Sequence, residues 1–229
     1  MGDFRMRGFQ TIPPVIKNLV IANALVFVAE MTFGGRFINA LELHYYQSQE
    51  FGIWQFFTHM FMHASIPHIL FNMLALWMFG STLEEVWGGK RFLTFYLLCG
   101  LGAAVVLLGA HTIELNMLIK KFNDGQMLAE EFEIRKEMII ESTAVGASGA
   151  INGVMVAFAY LFPNSLVYLY FAIPVKVKYV VIAYFLIDLF GGINPRAGDN
   201  VAHFAHVGGA IVGLILVITT NRSNRRTFY

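Results

Sequence analysis

The sequence predicts an all-α, polytopic membrane protein, and three observations lead to that fold class. Of 229 residues, 57% are hydrophobic and only 14% are charged, with a mean hydropathy of +0.60. Soluble domains carry about 45–50% apolar and about 25% charged residues, so the excess apolar surface calls for lipid rather than a single aqueous core. The apolar residues gather into six runs, and a helix needs about 20 such residues to cross a hydrocarbon core of about 30 Å. Lysine and arginine, finally, sort toward one side of those runs. A net charge of +1 without a basic cluster gives nucleic acid nothing to bind. The single cysteine, Cys99, excludes an intramolecular disulfide.

The stretch MGDFRMRGFQTIPP lacks a small-residue cleavage site, so the first run, about 15–33, reads as a retained span rather than a signal peptide. In the loop that follows, WQFFTHMFMHA (54–64) is aromatic and His-bearing but too short to cross. It predicts an interfacial segment with Trp54 at headgroup level. The second span, about 66–83, has Ser65 as N-cap and Pro67 in its first turn, where a missing N–H costs little. The third covers about 92–112. The polar insert 113–142 has helical periodicity and mixed charge, which predicts a solvated external helix, with substrate or partner contact as the alternative.

The fourth run, about 148–162, ends before Pro163. At 1.5 Å per residue it extends about 22 Å. Anchored at the inner interface, it starts about 8 Å short of the outer one, which recesses Ser148 into the membrane on the external side. The fifth and sixth spans are about 178–193 and 201–220. With both termini cytoplasmic, Arg5, Arg7, Lys17, Lys90, Arg91, Lys176, Lys178, Arg222, Arg225 and Arg226 lie inside. Four of the remaining basic residues, Lys120, Lys121, Arg135 and Lys136, fall in the long insert, where the positive-inside rule has little weight.

Polar side chains within spans are costly and mark function. His68 and Asn72, four apart, share a face of the second helix near its external end. His203 and His206 stand at the external start of the sixth helix, and Ser148 at the start of the fourth. Serine, histidine and spare donors at one depth are the parts of nucleophilic acyl chemistry. The plainer readings are helix packing for a serine among glycines and alanines, and structural hydrogen bonding for a buried histidine. His59 and His63 are spaced as i and i+4, but no carboxylate stands with them as in H-E-x-x-H, so no metal is expected.

GASG at 146–149, HASIPHILFN at 63–72 and AHVGGAIVG at 205–213 occur in this order on separate spans. Together they resemble the motifs of the rhomboid intramembrane serine proteases. The resemblance implies a six-helix bundle whose first external loop, Gly34 to Ala64, dips into the membrane, and a fifth helix acting as a lateral gate. It implies Ser148 as nucleophile and His206 as general base and acid, a Ser–His dyad without an acidic third member. His68, Asn72 and the Ser148 N–H become oxyanion donors. Gly146 and Gly149, with Ala147 and Ala150, let the fourth helix approach the sixth, to which Gly209 and Gly213 belong. Glu84 corresponds to a structural glutamate at the cytoplasmic end of the second helix.

In three places the chain departs from the pattern common in bacterial members. Asn152 stands where a tyrosine often stacks on the catalytic imidazole, so another group must orient His206, with His203 the candidate. Gln55 and Val86 stand where arginines are common, which leaves first-loop anchoring and the inner end of the second helix without their usual partners. His59, His63 and His203 remain candidates to line a wet cavity. The implied partners are a lipid bilayer and transmembrane protein substrates, with no cofactor and no particular oligomeric state. The implied location is the bacterial inner (cell) membrane, with the site open to the external side. A competing reading is an inactive relative that binds transmembrane segments, although such relatives typically lose the serine or the histidine. A transporter would use Glu30 and Asp188 near the midplane and paired broken helices, but the polar residues gather at one side and no repeat is visible.

Overall fold

Prolines and glycines set several of the helix ends. The computed structural model describes residues 12–169, 172–193 and 202–223. Helix α1 (Pro14–Phe33) opens on a proline, where no N–H is needed. It stops at Gly34, whose φ of 69° suits only a residue without a Cβ. A short α2 (Gly35–Leu41) and strand β1 (Leu43–His44) follow. Helix α3 (Gln55–Thr58) then runs into a 3₁₀ turn at His59–Phe61.

Helix α4 (Ile66–Ala75) begins on Ser65, whose Oγ accepts the His68 N–H at 3.3 Å. It continues through a π-helical stretch (Leu76–Gly80) into α5 (Ser81–Trp87), making one apolar run of 22 residues. After Gly88 come α6 (Gly89–Asn123), α7 (Ala129–Ile140), β2 (Thr143–Ala144) and α8 (Ser148–Leu161). A hairpin of β3 (Leu166–Leu169) and β4 (Ile173–Lys176) leads to α9 (Val177–Ile193), and α10 (His203–Ser223) is the last element. Among the described residues four runs are long and apolar enough to cross a membrane: Pro14–Phe33, Ile66–Trp87, Gly89–Asn123 and His203–Asn221. The other two expected spans are shorter, 14 residues for α8 and 17 for α9.

Two differences from the sequence expectation concern the insert. Helix α6 does not end near residue 112 but continues to Asn123. Polar character begins at Glu114, yet Glu, Lys, Leu and Met are all good helix formers, and nothing breaks the helix before Asp124. The insert is also not one solvated helix. Its α6 end and α7 fold back on each other, with Phe122 stacked on Phe132 at 4.4 Å. Leu115, Leu118, Phe132 and Ile139 join Leu43 and Tyr45 in a hydrophobic cluster outside the main bundle.

The main core lies between α6, α8 and α10, with Tyr96, Cys99, Ala150, Val154, Ala157 and Val217 buried in it. At one end Glu84, itself buried, accepts the N–H groups of Val15 and Ile16 at 2.9 and 2.8 Å. These are among the orphan donors of the first turn of α1, so the glutamate caps that helix from 68 residues away. At the other end Glu30 accepts the His63 N–H at 3.2 and 3.3 Å through its two oxygens. Both carboxylates thus hold backbone at opposite ends of α1. The first loop is fastened too: β1 pairs antiparallel with β2, Leu43 opposite Ala144 and His44 opposite Thr143. Fully buried Gln55 accepts the His44 N–H at 3.2 Å and donates to Glu50 O at 2.8 Å. A neutral amide therefore ties this loop.

Candidate active site

Ser148 is the first residue of α8, so its N–H has no acceptor within the helix and points outward at the positive end of the helix dipole. The turn before it depends on Gly146, whose φ of 132° a side chain would rarely adopt. A Cβ there would also sit 3.0 Å from His68 Nε2 and 3.3 Å from Ser148 Oγ. The Gly146 N–H donates to His59 O at 2.9 Å, which anchors this turn to the first loop. His59 itself is buried, its Nδ1 on Gln55 O at 2.7 Å. Trp54, in contrast, is exposed and donates from Nε1 to Ala40 O at 2.8 Å.

Helices α8 and α10 touch along a seam of glycines. A Cβ on Gly209 would fall on the carbonyl oxygen of Gly149, and one on Gly213 would lie 2.5 Å from Gly153 Cα. Gly149 turns its own open side to Ala103 of α6, at 2.6 Å. Gly153, which the sequence patterns did not single out, completes the seam. Gly146 belongs to the turn beside His68 instead.

That seam brings His206 Nε2 to 2.8 Å from Ser148 Oγ across 58 residues of sequence. His206 is buried. His68 and Asn72 lie on the neighbouring helix. The His68 ring is half-buried beside Gly146, and buried Asn72 has an Nδ2 with no partner among the described residues. An open amide donor one turn along the helix from His68, which flanks the turn before Ser148, is suited to receive an anionic oxygen. His63 packs its ring edge-on to His68 at 5.0 Å, and both of its ring nitrogens lack a partner among the described residues. Burial pushes His63 down to about 4, with the His68 ring adding to the effect, and burial brings His59 to about 4 as well. Both are neutral at physiological pH. Among the described residues no group of acidic, histidine or cysteine side chains has the arrangement of a metal site.

The surroundings of His206 differ from the expectation of a base with no acidic neighbour. Asp188 of α9, buried, places Oδ1 3.0 Å from His206 Nδ1 and 2.8 Å from His203 Nδ1. Tyr184, one turn earlier on α9, sets its ring 6.2 Å from that of His206 at an interplanar angle of 27°. Asn152 donates from Nδ2 to Ser148 O at 2.9 Å, a backbone contact within α8, and does not cover the imidazole. His203 meets the carboxylate instead of the His206 ring. Asp188 was visible in the sequence only as an ionisable residue inside a span. A cavity of about 580 Å³ lies at the far end of the bundle, between Trp87, Lys90, Arg91 and Thr94 on one side and Leu216 and Thr220 on the other. It is no part of this cluster.

Residues 50–223 match the Rhomboid domain. The chain is 30% identical over 202 residues to the mitochondrial RHOMBOID-like protein 12 of Arabidopsis thaliana, covering 88% of this chain and 56% of the relative. It is 26% identical over 220 residues to the Rhomboid protease GlpG of Salmonella choleraesuis (strain SC-B67), covering 93% and 66%. It is 24% identical over 220 residues to the chloroplastic Rhomboid-like protein 16 of Arabidopsis thaliana, covering 93% and 65%. The chain thus spans between 56% and 66% of the length of these relatives.

Proposed function

Because this chain is an integral membrane protein of the rhomboid family, we propose that it is an intramembrane serine endopeptidase acting on transmembrane segments of other proteins. The observation that carries this reading is the 2.8 Å contact between Ser148 Oγ and His206 Nε2. A serine hydroxyl is a weak nucleophile without an adjacent base.

In this mechanism Ser148 Oγ attacks the scissile carbonyl carbon while His206 Nε2 takes its proton. The developing oxyanion receives hydrogen bonds from the Ser148 N–H, His68 and the open Nδ2 of Asn72. Each such donor is worth roughly 2.7–4 kcal/mol in soluble serine proteases. His206 then protonates the leaving amine, which departs and leaves an ester on Ser148. Water, deprotonated by the same imidazole, attacks that ester and restores the hydroxyl. No cofactor enters these steps.

The six-span arrangement with both termini cytoplasmic in a bacterial cell membrane belongs to this proposal. The short helix α8 then starts below the outer surface, and Ser148 opens to the external side. Incubating the purified protein in liposomes with a reporter transmembrane substrate tests the activity. Cleavage by wild type and none by Ser148→Ala is the expected result, and cleavage by folded Ser148→Ala overturns it. For orientation, a cysteine at position 125 in a Cys99→Ser background should label from the external side; labelling from the cytoplasmic side alone reverses the topology.

A further inference from the structure

We propose that Asp188 is a positioning residue for His206, so that α9 sets the reactive geometry together with α8 and α10. The inference rests on the Ser148–His206 reading above and adds a third group to it.

A carboxylate in the apolar helix α9 is costly to bury unless it is paired, and Asp188 is only 3% exposed. Its Oδ1 is met by two ring nitrogens, His203 Nδ1 at 2.8 Å and His206 Nδ1 at 3.0 Å. A neutral histidine carries one N–H, and the partner of one nitrogen decides which nitrogen bears the proton. With Asp188 accepting from Nδ1, the lone pair of His206 is left on Nε2, the atom that faces Ser148 Oγ. Without that acceptor the ring is free to place its proton on Nε2 and lose its function as a base.

Among the described residues Asp188 is the acceptor recorded at His206 Nδ1. Helix α8 offers Asn152, but its Nδ2 is engaged with Ser148 O. The ring that lies along the imidazole is Tyr184, on the same face of α9 as Asp188. The α9–α10 contact is shaped for this arrangement, since a Cβ on Gly191 would lie 2.6 Å from the His203 ring. Few residues of helix α9 are buried. Its buried residues are Val177, Val181 and Asp188, while Ile182, Leu186, Ile187 and Phe190 are exposed. In its second half Asp188 is therefore the orienting acceptor and ties α9 to α10 through His203 and His206.

The test measures kcat and KM for reporter cleavage in liposomes, with thermal unfolding followed on the same samples. Asp188→Asn keeps size and removes the charge. It should lower kcat by roughly 100-fold or more, in line with removal of the orienting aspartate in soluble serine proteases, with KM and unfolding temperature little changed. Should Asp188→Asn fold poorly, the equal-sized pair Asp188→Glu and Asp188→Gln replaces it. A positioning carboxylate predicts that the Glu variant exceeds the Gln variant at least about tenfold in kcat. Combining Asp188→Asn with His206→Ala should add no further loss, because groups acting as one unit are non-additive. Unchanged kcat in Asp188→Asn, or equal activity of the Glu and Gln variants, overturns the inference and leaves the Ser148–His206 reading standing. Absence of cleavage and of fluorophosphonate labelling in wild type removes both.

Discussion

Gly209 of α10 lies so close to Gly149 of α8 that a Cβ on it would coincide with the Gly149 carbonyl oxygen. Backbone oxygen cannot move aside as a side chain can, so one methyl group must push the two helices apart. Overpacking of this kind costs about 1–3 kcal/mol. Its larger effect is on the 2.8 Å contact that the seam maintains between Ser148 and His206. Gly209→Ala should cut reporter cleavage by about 100-fold, the cost of a misplacement of about 1 Å. Gly109→Ala, where a Cβ meets nothing within 4 Å, should leave activity unchanged and raise the unfolding temperature slightly, since alanine is the better helix former. Equal effects of the two substitutions would show that the seam does not set the geometry.

Ser148 and His206 should behave as one unit. Each single alanine substitution should abolish cleavage, and the double variant should be no worse than either. A fluorophosphonate should label wild type at Ser148, leave Ser148→Ala unmodified and react weakly with His206→Ala. His203→Ala should retain labelling, since its contact is to Asp188. A dead His203→Ala beside an active His206→Ala would reassign the base.

Asn72 offers its Nδ2 to no group among the described residues, so truncating it removes an interaction that forms only during reaction. Asn72→Ala should lower kcat by roughly ten- to a few hundred-fold with little change in KM or thermal stability, water replacing part of the lost donor. A loss that follows the unfolding temperature would make Asn72 a structural bridge.

Burial keeps His59 neutral in the folded protein, with its ionisation pushed down to about 4. The unfolded chain takes up that proton near the ordinary histidine value of about 6.5. Between those limits the unfolded state binds more protons, so stability is full above about pH 6.5 and falls as pH drops toward 4, by up to about 1.4 kcal/mol per pH unit for one such group. His63 acts in the same direction. Unfolding temperatures measured from pH 7.5 to 4.5 should therefore decline, and His59→Gln should make the decline shallower. An identical slope in that variant would remove His59 from the account.

Much of the architecture was legible because the relevant physics is local. Composition and run length make lipid the solvent, Ser65 and Pro67 mark a helix start, and four-residue spacing places His68 and Asn72 on one face. The motifs around Ser148 and His206 were also local, since close helix approach demands small residues beside the functional ones. The roles of Gln55 and Glu30 were not legible, because each side chain holds backbone 11 and 33 residues away, and Glu84, legible only as a structural glutamate, holds backbone up to 69 residues away. The true end of α6 escaped hydropathy, which follows charge, whereas the helix follows propensity and ends only at Asp124. What tertiary structure alone decided is the environment of His206. Asp188 and Tyr184 reach it from α9, a different helix, and a contact between helices leaves no periodicity in either sequence. An isolated aspartate in an apolar run states only that burial must be compensated. The packing of α9 against α10 determines which atoms compensate it.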